Sequence, residues 1–364
     1  MPRLRYRDAG NVRSLTPALW DSAFLRTCRG EPAPHTPVWL MRQAGRYMAH
    51  YRGIRSTRSF LELCKEPAAA AEVTIFARDW LGVDAAIIFS DILVTLEALG
   101  LPLSFSTGDG PVLGSPIKGR DAVEALRDPA QAAADLEYVH EAIRLTVRGL
   151  PADIPLIGFC GAPFTLAAYA IEGGSSRQFA RTRAFMYRET AAWHRLMSVL
   201  VDTLAPYLTA QIAAGASAVQ VFDSWVGNLT RADFIEFVQP HLTTLVARIP
   251  TGVPVILFGT CTNHLLDLIT ACGADVIGMD AATDLDASWR ALGGPSQIAV
   301  QGNLDPALLL ADPARLDRSV DAVLAAAAGR PGHIFNLGHG ILKETDPEMA
   351  KRLVDRVHAQ TNAR

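Results

Sequence analysis

The chain has 364 residues, is 49% hydrophobic and 20% charged, and carries a formal net charge of -3. That length admits two ordinary domains or one large α/β barrel, and a near-neutral balance with one short arginine cluster argues against a surface built to track nucleic-acid phosphate. No run of about 18 uninterrupted apolar residues occurs, so no membrane span is expected, and Cys28, Cys64, Cys160, Cys261 and Cys272, scattered and free of CxxC spacing, disfavour both a disulfide framework and a structural zinc site.

In chain order, residues 1–20 read as an N-terminal tail: they are arginine-rich but contain Asp8 and lack the apolar centre of a secretory signal, so a cytoplasmic protein is expected. Eight short apolar runs follow within 21–364, at Pro37 to Met41, Ala85 to Phe89, Ile154 to Phe159, Ala218 to Phe222, Val253 to Phe258, Asp275 to Met279, Gln297 to Gln301 and His333 to Leu337. Continuous runs, rather than polar alternation, suit strands buried on both faces of a parallel sheet. Helical patterns separate them. Ser59 to Leu81 is expected to break into two helices at Pro67, Ile92 to Leu99 to form one helix, and Glu189 to Ala213 and Ala314 to Ala328 two more. Gly100 to Gly119, rich in Gly, Pro and Ser, reads as a loop or hairpin inserted after the second strand and its helix. Eight strand-helix units predict a single-domain (β/α)8 TIM barrel; a doubly wound sheet is the alternative, but no GxGxxG follows any run.

One stretch departs from average chemistry. Arg42, Arg46, Arg52, Arg55 and Arg58 follow the first run, and no acid occurs between Glu31 and Glu62, where about three would be expected by proportion. Guanidinium forks match carboxylate or phosphate, so this cluster points to a ligand with several negative charges, against the plainer reading of a solvated arginine face. Barrel sites form at the carboxyl ends of strands. The residues there are Arg42 and Gln43, Ser90 and Asp91, Cys160 to Ala162, Asp223 and Ser224, Gly259 to Cys261, Asp280, Gly302 and Asn303, and Gly338 and His339. Each has a structural alternative: Asp91 as a helix cap, Asp223 and Asp280 as loop fasteners, His339 as a turn histidine.

The ordered wording PVWLMRQAGRYM, AAIIFSDIL, GFCGAPFTLAAY, VFDSWVG, VQGNLDP and FNLGHGI resembles the uroporphyrinogen decarboxylase family from about Ser22 to Val357. The resemblance implies a (β/α)8 barrel, a homodimer with facing clefts, no cofactor and no metal. It also implies decarboxylation of the four acetate arms of uroporphyrinogen to methyls. Carried over by position, its functional residues fall on Arg42, Arg46, Arg55, Asp91, Tyr169, Ser224 and His339, with Asp91, Arg42, Tyr169 and His339 as catalytic candidates. The stretch Phe258 to Asn263 departs from the family's more glycine-rich wording, which bears on the pocket wall. The residues agree independently with this substrate. A ring of four pyrroles bearing eight carboxylates needs cations at its rim, and a carboxylate such as Asp91 accepts several N–H donors at its centre. Phe159, Phe164, Phe222 and Phe258 are candidates for ring contact. Two rivals remain at this point: a cobalamin-linked methyltransferase, whose His-x-Cys zinc pair is replaced by Phe258-Gly259-Thr260 although Cys261 and His264 lie close by, and a non-enzymatic binder of anionic tetrapyrroles.

Overall fold

The computed structural model describes residues 15–106, 110–176 and 178–362. Most of the expected tail, residues 1–14, lies outside them; Thr16 then caps the helix Pro17–Trp20 and Ser22 caps Ala23–Cys28. The strands are β1 Ala86–Ile87, β2 Leu103–Ser106, β3 Gly110–Leu113, β4 Leu156–Gly161, β5 Ala218–Asp223, β6 Val255–Gly259, β7 Val276–Gly278, β8 Ala299–Gln301 and β9 His333–Ile334. Seven of them form one parallel sheet in the order β1-β4-β5-β6-β7-β8-β9. The Pro37 to Met41 run fills the gap between β9 and β1. Val38 pairs in parallel with Phe335; Phe335 N–H donates to Pro37 O (2.8 Å), Trp39 N–H to Phe335 O (3.3 Å), and Asp84 N–H to Val38 O (2.8 Å). The sheet therefore closes as a (β/α)8-type barrel, and all eight apolar runs lie on its staves.

Alternate residues of each stave turn inward. Trp39 Nε1–H donates to Gln301 Oε1 (2.9 Å), and Gln301 Nε2–H to Gln220 Oε1 (3.1 Å). Because β5 and β8 are not sheet neighbours, this chain of amides crosses the lumen and satisfies groups that would be costly to bury alone. Outside, the break at Pro67 separates Phe60–Lys65, which opens on a Ser59/Glu62 capping box, from Pro67–Leu81, which ends on left-handed Gly82. Thr190–Ala214 is the one helix, among the described residues, long and apolar enough by composition to cross a membrane; it is mostly buried against β4, β5 and neighbouring helices as a core helix. The inserted hairpin is β2–β3, paired from Leu103 with Leu113 to Ser106 with Gly110, and its tip, residues 107–109, lies outside the described residues. It is tied to the end of helix Pro163–Glu172 through Leu113 N–H on Gly173 O (3.0 Å), beside the carboxyl ends of the staves.

The closing seam is fastened at the opposite, amino-terminal end. Asp84, just before β1, accepts from Val38 N–H at 2.7 Å and from two imidazoles, His35 Nε2 at 2.7 Å and His358 Nε2 at 2.8 Å. One carboxylate thus joins the N-terminal segment, the first stave and the last helix, Pro347–Thr361. Burial alone would push Asp84 up, but the bonds from His35 and His358 outweigh it and hold the group down at about 2. His35 is raised by its bond to Asp84, against burial.

The signs define a window. Asp84's contribution is present above its ordinary 3.8 and is lost as pH falls toward about 2; His35's is present below 6.5 and is lost as pH rises through its raised folded value. Asp84→Asn is expected to cost roughly 2 kcal/mol, most clearly near pH 5 to 6, with the gap to wild type narrowing above about pH 8. Urea unfolding of both proteins across that range checks this.

Candidate active site

The carboxyl ends of the staves gather most of the sequence-predicted residues at one mouth. The first loop is built rigidly. Gln43 is fully buried, with its Oε1 accepting from Leu40 N–H (3.2 Å), its Nε2 donating to Ala85 O (3.3 Å) and its carbonyl accepting from Tyr47 Oη (2.6 Å). Asn336 Oδ1 accepts from Met41 N–H (3.1 Å) and Leu337 N–H (2.7 Å), and Ile341 N–H donates to Met41 O (2.9 Å). These bonds hold Arg42 in a left-handed backbone conformation (φ 62°) with its side chain exposed over Gly340. A Cβ on Gly340 would stand 2.4 Å from Arg42 Cδ, so the last glycine of NLGHG is what lets the arginine stem lie there. Gly338 likewise admits the backbone of Ala281.

The five arginines are not equivalent. Arg52 is spent inside the loop, donating to Arg46 O (2.9 Å) and Tyr47 O (2.7 Å), and Arg58 is paired with Glu66 (2.5 Å). Arg55 is half-buried, donates to Arg58 O and lies against Tyr51. Arg42 and Arg46 are exposed, with no acidic partner and no hydrogen-bond acceptor for their side chains among the described residues. The loop therefore presents two free guanidiniums.

Asp91 faces this loop from the end of the second stave, half-buried. Its Oδ1 accepts from Leu93 N–H (2.8 Å), which uses two residues for a turn, so the helix expected from Ile92 begins at Val94 and runs to Ala98. Asp91 is thus a turn residue ahead of that helix. Burial raises its carboxyl to about 6; the Leu93 amide and the charge of Arg42 pull the other way. Arg42 also acts on Tyr169 and His339, which places all four groups within electrostatic reach. Burial keeps the Tyr169 phenol raised, with Trp225 edge-on at 6.0 Å. His339 Nδ1 accepts from Gly340 N–H (2.6 Å), and burial followed by Arg42 lowers its pKa, so the imidazole stands neutral with Nε2 as its N–H donor. Arg55 is linked to the same side through Cys64, whose thiol feels both Asp91 and Arg55. Ser224 is half-buried on the turn after β5, where its carbonyl accepts from Thr260 Oγ1 (2.5 Å).

The remaining acids fasten loops. Asp280 takes Thr283 Oγ1 (2.8 Å), Ala282 N–H (3.2 Å) and Cys261 N–H, and Asn303 donates to the carbonyls of Asp280 and Thr283 (2.7 Å each). Asp223 points away from the lumen and accepts from Thr165 Oγ1 (2.7 Å); burial raises it to about 7. Phe159, Phe222 and Phe258 form a contiguous edge-to-face wall with centroids 5.6 and 6.1 Å apart. Phe164 does not join it: it is fully buried on the helix side against Trp193 (6.0 Å). Phe89, half-buried and 5.5 Å from Tyr51, together with Trp225 and Asn336, was missed; the only signal was their place inside or just after an apolar run. Cys261 and His264 do not converge, since His264 Nε2 is bonded to Leu229 O (2.8 Å). The mouth thus combines free cations, a carboxylate able to change charge near neutrality, a neutral imidazole and an aromatic wall.

Comparison with known proteins is consistent over the whole barrel. Residues 20–360 match the family described as Uroporphyrinogen decarboxylase (URO-D). Proteins named uroporphyrinogen decarboxylase from Koribacter versatilis and Chloroflexus aurantiacus are 48% and 50% identical to this chain over 340 and 343 residues, covering 93% and 92% of it and 96% and 95% of themselves. Among solved structures, a methyltransferase from Methanosarcina mazei superposes with a TM-score of 0.76 at 18% identity, covering 94% of this chain and 99% of its own, a likeness of fold.

The coupling at the mouth is directly measurable. In Arg42→Ala, loss of the cation should move the Asp91 carboxyl above about 6 and raise the His339 imidazole as well. Carboxyl 13C and imidazole proton titrations by NMR would detect both; unmoved values would mean that Arg42 does not face these groups.

Proposed function

Because this chain belongs to the uroporphyrinogen decarboxylase family, its reaction is the removal of CO2 from the acetate side chains of uroporphyrinogen to leave methyls, and we propose that the Arg42–Asp91 mouth performs it. The observation that carries this reading is the pairing of two acid-free guanidiniums with a half-buried carboxylate raised to about 6. Arg42 and Arg46 bind carboxylates at the rim of the substrate, and Arg55 takes part with the N–H groups it does not give to Arg58. Asp91 accepts the pyrrole N–H groups at the centre. Tyr169, Ser224 and the neutral His339 supply hydroxyl and imidazole hydrogen bonds around them.

Loss of CO2 from an acetate arm needs a place for the electron pair. Protonation of the ring carbon beside the one that bears that arm gives an iminium-like cation conjugated to the arm, the C–C bond to CO2 breaks into it, and the exocyclic methylene takes up a proton to become methyl while the protonated ring carbon loses the proton it gained. The net uptake is one proton per CO2. Charge develops positively on the pyrrole, and an ionised Asp91 in a water-poor mouth stabilises it without reorganising. The same cation and N–H donors would hold Asp91 ionised, reversing the effect of burial. Arg42 is a poor acid, since arginine stays protonated in proteins, and gripping the departing carboxylate would stabilise the ground state most. Arg42 and Arg46 are therefore assigned to binding, with Arg42 able to pass a proton through a bound carboxylate. Lowered below its ordinary value, His339 is a hydrogen-bond donor before it is an acid.

We place residues 21–364 in one catalytic domain, working without a cofactor in the cytoplasm as a homodimer with facing clefts. These follow from the family resemblance and the composition. The M. mazei methyltransferase shares the fold at 18% identity, and Cys261 and His264 offer no convergent pair to support that chemistry.

Alanine at Arg42 or Arg46 should lower kcat/KM for anaerobically prepared uroporphyrinogen by about 10-fold or more, the equivalent of one charge-assisted bond worth roughly 1.5 to 3 kcal/mol. Arg58→Ala, which removes the partner of Glu66, should stay within about twofold. Chromatography of the oxidised products measures all three; equal effects at the three positions would overturn the assignment of Arg42 and Arg46.

A further inference from the structure

The His35–Asp84–His358 cluster lies at the end of the barrel away from the catalytic mouth. Asp84 precedes the second stave and Asp91 follows it, which puts them roughly 20 Å apart at the usual rise of a strand. One ring nitrogen of each imidazole and one carboxylate oxygen lie within 4.8 Å of one another, on three segments far apart in sequence. Their side chains keep 20%, 15% and 24% of their surface, so an ion can reach them without unfolding the seam. His35 also lines an open cleft of about 750 Å³ with Glu31, Asp321, Gln360 and Thr361, which gives water access to the same spot.

We propose that His35, Asp84 and His358 form a binding site for a divalent transition ion of the Zn2+ type. Two imidazoles and one carboxylate are a donor set that suits zinc, with water completing the shell. Ligands 2.0 to 2.1 Å from one ion sit about 3 to 3.4 Å apart. The present N–O separations of 2.7 and 2.8 Å, one to each Asp84 oxygen, open by a few tenths of an ångström, and the ligand atoms, now within 4.8 Å of one another, draw in around the ion by side-chain rotation. The ion replaces the protons now shared between each Nε2 and Asp84: a charged imidazole releases its Nε2 proton to solvent and keeps the one on Nδ1, and a neutral one changes tautomer, its single proton passing from Nε2 to Nδ1 through solvent. Val38 N–H stays on the carboxylate as the outer partner that orients it. Such an ion would tighten the seam and take no part in decarboxylation.

The test uses full-length protein stripped with EDTA and dialysed, titrated with Zn2+ by calorimetry and with Co2+ by visible absorption. One equivalent should bind with a rise in Tm, and His35→Ala and His358→Gln should each weaken binding at least about 10-fold and abolish the rise. His194→Ala serves as a control, since His194 and His241 form the other close imidazole pair (2.9 Å). The decarboxylation rate should be the same before and after stripping. Absence of saturable binding, or binding lost in the His194 variant but kept in the other two, would overturn the proposal and leave the trio a hydrogen-bonded clasp. A loss of activity on stripping would contradict the structural role given to the ion here, while leaving the assignment of the reaction to the family intact.

Discussion

Desolvation of one carboxylate beside one unpaired guanidinium is the constraint on which the mouth depends. Asp91 is raised to about 6 because protein surrounds it, and Arg42 offsets only part of that cost. Neither group is neutralised by a third: the acids that could have paired with Arg42 are absent from the loop, and Asp280, the buried acid whose charge acts on His339, is engaged with Thr283, Ala282 and Cys261. The site is thus held in a state that an anionic ligand with a cationic or N–H-rich centre relieves. An electrostatic environment fixed before the ligand arrives acts on a transition state more strongly than one that must rearrange.

The barrel holds this state open at modest cost elsewhere. Arg42 sits in the left-handed region because both sides of its loop are pinned, by Gln43 to Leu40 and Ala85, and by Asn336 to Met41. Those pins lie on the first and last staves, so the position of the cation depends on barrel closure. Closure in turn runs through Val38, Asp84 and the two histidines at the far end. The amide chain Trp39–Gln301–Gln220 spans the lumen between the two. A defect at the seam is therefore expected to reach the mouth through the first stave.

Much of this was legible in the sequence because burial on both faces demands continuous apolar runs, and each of the eight runs became a stave. The inserted hairpin and the helix break at Pro67 were legible from turn chemistry. Boundaries were less so: the Asp91 turn delays its helix to Val94, and the first stave is a single bridged residue, Val38. Phe164 was misassigned because proximity to a strand in sequence does not say which side of the sheet a helix residue faces. A run of five arginines could not reveal that Arg52 and Arg58 are consumed by partners within the fold. Asn336 and the His35–Asp84–His358 clasp were invisible for a related reason: their partners lie 295, 49 and 274 residues away, and only chain closure brings them together.

The role of Asp91 as the fixed counter-charge is tested most directly by single-turnover decarboxylation in Asp91→Asn, with Tm and substrate affinity measured on the same preparation. Asn can still accept from Leu93 N–H and keep the turn, so the variant should fold and retain binding. It cannot balance a positive pyrrole, and turnover should fall about 100-fold or more. A well-folded variant that binds substrate and turns over at close to the wild-type rate would contradict the account.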